Sequence, residues 1–343
     1  MAVHILDAMS RGGFEQVHAI HDSASGLRAF VGLHNTSRGP AFGGIRRWAY
    51  RDERDALLDC LRLGKAMTHK CALAELPVGG AKVVIMDREG LDLEGAYRHL
   101  GRLVDHHQGR LYVGPDVGTS TEQLGWVAEE TAFAAGPGAS GPGQIAESTS
   151  AGVFHSMAAA LQHMDGAVDW DRRTVVIQGL GKVGSLLAQR LVEMGVTVIA
   201  TDIDPQRAEQ VGATCDLKLV DASEVIDLPC DIFSPCALGG ILHDLTLERL
   251  KCRAVVGAAN NVLARSHHGT LLHERGILYV PDIVASAGAL IRGVRFHLDG
   301  ERVPVEEIGR RVGKTVSAVL AQAAEEGEAP SVVAVREAEK RCD

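Results

Sequence analysis

Apolar positions recur along this chain with two periods, and the change from one to the other divides it. From Asp52 to Lys70 the small or apolar residues Ala56, Leu57, Cys60, Leu61, Gly64 and Met67 return at helical spacing, with charged residues between them. That pattern predicts a helix delivering Lys70 near its C-terminal end, where a cation also complements the helix dipole. Leu27–Leu33 and Val83–Met86 read as strands. Periodicity stops in "AAGPGASGPGQIAES", residues 134–148, where Gly and Pro dominate, and the domain boundary is placed there. A helix over 149–163 follows. Strand-like runs at 174–178, 196–201, 231–234, 254–257 and 277–280 then alternate with helical patterns, as in βαβ units on a parallel sheet. From about Glu306 a last helix carries Ile308, Val312, Val316, Val319 and Leu320 along one side.

The expected architecture is α/β. An N-terminal α/β substrate domain (1–135) precedes a Rossmann-type, doubly wound dinucleotide-binding domain (145–305), with a cleft between them. The helix from about 306 is expected to pack back on the first domain. Composition fits: 343 residues are enough for about two domains, and 46% hydrophobic content with 4% aromatics and 39 glycines suits alanine- and valine-rich α/β layers.

Charge and cysteine usage narrow the function classes. The net charge of −9 is made of interspersed acids and bases, so no basic stripe offers itself to nucleic acid or a membrane surface. Charges come too early in "MAVHILDAMSRGGFEQV" for a signal peptide, and no apolar run is long enough to span a bilayer. The seven cysteines are scattered without a CxxC pair, which suggests reduced thiols and a cytoplasmic protein. No metal site is expected. The adjacent histidines 106–107 and 267–268 do not share a helix face and read as solvated surface groups.

Two stretches carry candidate chemistry. "LPVGGAKVVIM", residues 76–86, places Lys82 at the mouth of an apolar, β-branched strand that has no structural need of an ammonium group. "VVIQGLGKVGSLLAQRL" holds Gly179, Gly181 and Gly184 in G-x-G-x-x-G spacing, directly after a strand and opening an amphipathic helix. The first glycine makes the turn, the second lets backbone approach a pyrophosphate, and the third permits close helix–strand packing. Asp202 ends the next strand at the distance of a ribose-binding acid, which favours NAD over its 2′-phosphorylated form, although Arg207 lies close by.

The motifs "GPAFGGIRRW", "MTHKCALAELPVGGAKVVI", "GPDVGTS", "GLGKVG", "PCALGGIL", "GAANNVL" and "PDIVASAGALI" closely resemble the glutamate/leucine/phenylalanine/valine dehydrogenases, in the family's order, over roughly residues 39–292. The resemblance implies reversible oxidative deamination of an L-amino acid to its 2-oxo acid and ammonium, with NAD as hydride acceptor. It also implies a homo-oligomer, a dimer or a multiple of dimers. By the same match Lys82 is the general base, and Asp116 assists proton transfer at the amino group. Lys70 and Asn261 hold the substrate carboxylate. Crowding by Lys70 and removal from water would help Lys82 give up its charge. Phe42, Gly43, Gly44, Met67, Gly114, Leu290 and Gly293 fall at substrate-side positions. Lys182, Val183, Thr149, Ala237, Ala259 and Asn260 join the three glycines and Asp202 around the cofactor.

The substrate follows from the pocket positions. Glutamate-specific members carry a lysine where this chain has Phe42, and an aromatic ring there penalises a buried carboxylate. Members favouring branched aliphatic substrates carry alanine at the position of Gly114, and Gly293 is smaller than the usual valine. These residues suggest a bulky apolar or aromatic amino acid, phenylalanine or tryptophan before leucine or valine. Ser286 replaces a family asparagine, and Arg292 stands where a neutral side chain is usual. Arg292 reads either as paired to a surface acid or as lying near the substrate tail. The two departures keep a non-catalytic paralogue, binding NAD and a metabolite, as the alternative.

Overall fold

Strand β4 (Gly79–Met86) begins with the two glycines ahead of Lys82 and lies inside a five-stranded mixed sheet of order β1-β2-β4-β3-β5. Its companions are β1 (Gln16–Asp22), β2 (Leu27–Asn35), β3 (Ala41–Trp48) and β5 (Leu111–Pro115). β1 and β2 pair antiparallel, as do β2 and β4, whereas β3 runs parallel to both β4 and β5. Four helices belong to this part: α1 (Ile5–Gly12), α2 (Glu53–Leu73), α3 (Leu93–His106) and α4 (Thr121–Glu130). In this computed structural model the described residues are 4–136 and 141–342, so residues 137–140 of the Gly/Pro boundary segment lie outside them.

Successive strand residues face opposite sides, and each side of this sheet has its own core. Ala41, Ile45, Ala81, Val83, Leu111 and Val113 pack with Tyr97, Leu100 and Val104 of α3 and Leu124 and Val127 of α4. On the other face Phe30 and Val84 pack with Ala56, Leu57, Cys60 and Leu61 of α2. The predicted helix is α2, capped by Asp52, whose side chain accepts from the Asp55 N–H. Its C-terminal turns are pressed onto β4: a Cβ on Gly80 would lie 2.1 Å from the Thr68 nitrogen. The thiols of Cys60 and Cys71 donate to the carbonyls of Lys82 (3.5 Å) and Gly79 (3.2 Å). The helix end that carries Lys70 is therefore fixed against the strand that carries Lys82.

The chain divides into two compact units. The first takes the chain up to Gly143, Gly293–Arg302 and the residues from Ala338, and the second takes Gln144–Arg292 and Val303–Glu337. In the second, α5 (Ile145–Asp165) is followed by β6 (Thr174–Gln178), α6 (Lys182–Glu193), β7 (Thr197–Thr201), α7 (Pro205–Gly212) and β8 (Lys218–Leu219). Next come β9 (Cys230–Pro235), α8 (Asp244–Arg249), β10 (Cys252–Val255), α9 (His267–Glu274) and β11 (Leu278–Tyr279). The last helices are α10 (Asp282–Ala285), α11 (Gly288–Asp299), which passes into the first unit at Gly293, α12 (Val305–Glu326) and α13 (Pro330–Lys340), which passes into it at Ala338. The sheet order is β11-β10-β9-β6-β7-β8 and every pairing is parallel. This is the doubly wound dinucleotide order, with its switch point between β6 and β9.

One expectation is corrected. The helix expected from about 306 is α12, and it packs along α5 in the second unit rather than back on the first. Glycines decide this: a Cβ on Gly309 would lie 2.5 Å from His155 and one on Gly313 3.0 Å from His155, so α12 closes against α5. It is also not the last helix, since α13 follows it. Among the described residues no helix is long and apolar enough to cross a membrane.

Candidate functional site

The sheet register places the first set of predicted residues on one surface. Phe42 pairs with Gly80 on one side and Tyr112 on the other, and Gly44 pairs with Gly114. Ala41 and Ile45 face the α3–α4 core. By alternation Phe42, Gly44 and Arg46 face the opposite way, together with Gly80, Lys82, Tyr112 and Gly114 on the flanking strands. Asp116 follows directly after β5. Lys82 Nζ lies 2.7 Å from Asp116 Oδ2, with the side chains only 5% and 10% exposed. Lys82 lies on β4 and Asp116 just past the end of β5, on either side of β3, and Gly44 is what lets them meet. A Cβ there would lie 2.9 Å from Asp116 Cβ and 3.2 Å from Lys82 Nζ.

Further polar groups, not singled out from sequence, continue this pair. Arg46 donates through Nε to Asp116 Oδ2 (2.9 Å) and through Nη1 to Asp59 Oδ2 (3.1 Å). Tyr50 Oη donates to the same Asp59 oxygen at 2.6 Å. Burial pushes the Asp116 carboxyl up, but the charges of Lys82 and Arg46 outweigh it and hold the group at about 2. Asp116 is thus an anion across the physiological range. The sequence reading gave Lys82 a neighbouring cation; the structure adds this carboxylate at hydrogen-bonding distance. Lys70 is likewise buried.

Beyond Gly44 and Gly114 the same surface ends in aromatic rings. Phe42 lies parallel to Tyr112, with centroids 4.5 Å apart and planes 2° from parallel, and Phe133 meets Tyr112 edge-on. His297 packs on both, at 6.2 Å from Phe42 and 5.3 Å from Tyr112. Its Nε2 is buried with no hydrogen-bond partner among the described residues, and burial lowers its affinity for a proton. Among the described residues a Cβ on Gly114 would meet nothing closer than 3.9 Å, and one on Gly293 nothing within 4 Å. Both glycines therefore leave open space, whereas Gly43 is a packing residue whose Cβ would collide with the Ala81 carbonyl at 2.1 Å. Met67 and Leu290 are half-buried. Tyr112 and His297 were missed from sequence. Tyr112 stands two residues before Gly114 on a strand, and His297 four after Gly293 on a helix, so each shares a face with a predicted residue.

The second unit presents the three fingerprint glycines in distinct roles. Gly179 has φ +99° and lies against Ala237, where a Cβ would sit 2.8 Å from the alanine methyl. A Cβ on Gly184 would lie 2.0 Å from the Gly179 carbonyl oxygen, so the helix–strand approach requires its absence. Around Gly181 a Cβ would meet nothing within 4 Å. Gly181 is also the N-cap of α6 and supplies no side chain to the first N–H groups of Lys182, Val183 and Gly184. That cradle fits a pyrophosphate. Asp202 accepts from the Leu180 N–H (2.7 Å) and the Asp204 N–H (2.9 Å), and Arg207 Nη1 reaches it at 3.3 Å.

The remaining predicted positions cluster around the loops after β9 and β10. Ala259 N–H donates to the Pro235 carbonyl, and the Asn261 carbonyl accepts from Gly240 N–H at 2.7 Å. Asn261 is held at φ +53°, a strained setting for a non-glycine residue. Asn260 Oδ1 accepts from Ser286 Oγ at 3.4 Å, and the same hydroxyl donates to the Asp282 carbonyl at 2.7 Å. Thr149 donates its hydroxyl to the Ile145 carbonyl one turn back.

Arg292 is buried and donates to the Val303 carbonyl (2.6 Å) and to Gln144 Oε1 (2.9 Å). One sequence reading is corrected here. His268 is buried rather than solvated. Its Nδ1 accepts from the Arg265 N–H, so Nε2 carries the proton and donates to Asp244 Oδ1 at 3.1 Å. Ligand-type atoms of Asp244, His267 and His268 lie within 4.8 Å of one another. A metal on His268 Nε2 would need that proton moved to Nδ1, where it would oppose the Arg265 N–H.

Comparison with known proteins agrees with both units. Residues 15–133 match the family described as "Glu/Leu/Phe/Val dehydrogenase, dimerisation domain". Residues 141–204 and 204–294 match "Glutamate/Leucine/Phenylalanine/Valine dehydrogenase". A leucine dehydrogenase of Thermoactinomyces intermedius is 40% identical over 290 residues, covering 84% of this chain and 79% of that protein. A phenylalanine dehydrogenase of the same organism is 42% identical over 293 residues, covering 84% and 80%. The crystal structure of L-tryptophan dehydrogenase from Nostoc punctiforme superposes with a TM-score of 0.82 at 34% identity, covering 98% of each chain. With the paired lysine motifs, the Lys82–Asp116 ion pair and the dinucleotide cradle in place, this chain belongs to the glutamate/leucine/phenylalanine/valine dehydrogenase family and is an amino-acid dehydrogenase.

Proposed function

We propose that the enzyme carries out the NAD-dependent, reversible oxidative deamination of a bulky apolar or aromatic L-amino acid, phenylalanine or tryptophan before leucine or valine. In this reading the amino acid lies over Gly44 and Gly114. Its side chain meets the Phe42–Tyr112–His297 rings and its amino group meets Asp116 and Lys82. Lys70 holds the carboxylate. The overall balance is amino acid, NAD⁺ and water giving 2-oxo acid, ammonium, NADH and one proton.

Bound in the Gly181 cradle, the dinucleotide would supply the hydride acceptor. This chain's residues handle the protons. Lys82 takes the proton of the water that attacks the substrate imine carbon, and Asp116 exchanges protons with the departing nitrogen. The single observation carrying the substrate reading is the aromatic wall beside two side-chain-free positions on the face that bears Lys82 and Asp116. A buried carboxylate has no cation to meet at Phe42. For the assembly, the family description of residues 15–133 supports a homo-oligomer built from dimers.

The test is turnover of purified enzyme with NAD at alkaline pH on L-phenylalanine, L-tryptophan, L-leucine, L-valine and L-glutamate, followed by reduced-nicotinamide absorbance. The expected order of kcat/KM puts the aromatic substrates first and glutamate last. A flat trace with every amino acid would overturn the catalytic reading, and a preference for valine or glutamate would overturn the substrate assignment.

A further inference from the structure

Lys82 and Asp116 are held by a half-buried polar chain that begins at Tyr50. It runs from Tyr50 Oη to Asp59, from Asp59 to Arg46, from Arg46 to Asp116 and on to Lys82, with steps of 2.6, 3.1, 2.9 and 2.7 Å. The Arg46, Asp59 and Asp116 side chains are 15%, 14% and 10% exposed. Arg62 adds a further donor to Asp59, on its other oxygen, at 2.9 Å. Such a chain makes directional demands. The planar guanidinium spans two carboxylates with Nε and Nη1, and a lysine ammonium cannot reproduce that fork. Arg46 and Lys82 both address Oδ2 of Asp116. Two cations on one oxygen restrict the carboxylate's rotation, and neither of these two contacts uses Oδ1.

We infer that Arg46, anchored by Asp59 and Tyr50, is a positioning residue that sets the orientation of Asp116 for proton exchange with the substrate nitrogen. The inference rests on the function proposed above for Asp116. Arg46 itself touches no reacting atom in this assignment. Its contribution passes through the carboxylate it holds. Misplacing a reacting group by about 1 Å costs on the order of 100-fold in rate. The cost of losing Arg46 should therefore fall on kcat rather than on amino-acid KM.

The experiment compares the full-length enzyme with R46M, R46K and D59N, measuring kcat, both KM values and thermal midpoint on the best substrate of the panel. R46M should lower kcat by about 100-fold with KM for the amino acid within about threefold. R46K should recover only part of the loss, and D59N should fall in the same direction by less. Normal kcat in R46M or R46K, or a loss confined to KM or to thermal stability, overturns the inference. A crystal structure of R46M, or of R46K where R46M does not fold, gives a readout independent of turnover. If the Asp116 carboxylate keeps its rotation against Lys82, Arg46 does not position it; if it turns away, Arg46 does. Should wild-type enzyme turn over none of the amino acids, the proposed function fails while the structural arm still decides this point.

Discussion

Lys82 on β4 and Asp116, just past the end of β5, lie on either side of β3, and their charged ends meet 2.7 Å apart over the side-chain-free position of Gly44. The pair exists because β3 offers no Cβ there. Gly44→Ala should therefore separate the ion pair while leaving the α3–α4 core intact on the other face. Overpacking of this kind costs about 1–3 kcal/mol. Expected are a folded protein with a modestly lowered thermal midpoint and turnover reduced by a larger factor than stability explains. Unchanged kcat in a folded Gly44→Ala enzyme would show that the pair is not needed.

Removing the charged ends themselves should be more severe. Lys82→Met and Asp116→Asn should each lower kcat by about 10²–10⁴-fold, the range for loss of a general acid or base. Saturable NAD binding, followed by nicotinamide fluorescence or calorimetry, should persist, because the cradle belongs to the second unit. Equal kcat in wild type and Lys82→Met would remove Lys82 from the mechanism.

The pocket makes a specificity prediction. A Cβ on Gly114 meets nothing closer than 3.9 Å, so Gly114→Ala should fold normally and fill only space. One methyl in an apolar pocket shifts discrimination by roughly 10–200-fold. The kcat/KM ratio of phenylalanine or tryptophan to leucine should fall by about 10-fold or more. His297→Phe should keep phenylalanine turnover and remove a buried nitrogen that has no hydrogen-bond partner among the described residues. A panel unmoved by Gly114→Ala would place the substrate side chain elsewhere.

Gly181 and Gly184 should respond oppositely to a side chain. Gly181→Val meets open space, so the thermal midpoint should hold while KM for NAD rises at least about 10-fold through loss of pyrophosphate approach. Gly184→Val drives a Cβ to 2.0 Å from the Gly179 carbonyl and should destabilise the second unit, lowering the thermal midpoint whether or not NAD is present. Normal NAD affinity in Gly181→Val would argue against this cradle.

His69, next to Lys70, makes the enzyme sensitive to mild acid. Burial lowers its proton affinity to about 4 from 6.5, against weak support from Glu339 at 4.0 Å. The unfolded chain takes up this proton near 6.5 and the folded chain only near 4. The stability is complete above that upper value and is lost as pH falls through the window, by about 3 kcal/mol. His34 is shifted the same way by burial and adds to the trend. Thermal midpoints at about pH 7 and about pH 4.5 should differ markedly in wild type and less in His69→Gln. An equal slope in the two proteins would assign the acid sensitivity elsewhere.

Much of this protein was legible along the chain because its signals are local. The helical spacing of Ala56 to Met67 predicted α2, and the strand before Gly179 with the helix after it defined the dinucleotide turn, since both depend on near neighbours. The paired motifs around Lys70 and Lys82 were visible for the same reason. The partners of those groups were not. Arg46 reaching Asp116 and Asp59, the Phe42–Tyr112–His297 stack and the closure of α12 on α5 join segments far apart in sequence. Strand order and side-chain alternation decide which side chains share a face, and no local period encodes strand order. The sequence by itself therefore determined α2, the dinucleotide turn with its flanking strand and helix, the family motifs and the candidate lysines. Only the tertiary structure decided that a glycine on the intervening strand lets Lys82 find its carboxylate, because that contact depends on three strands lying in one register.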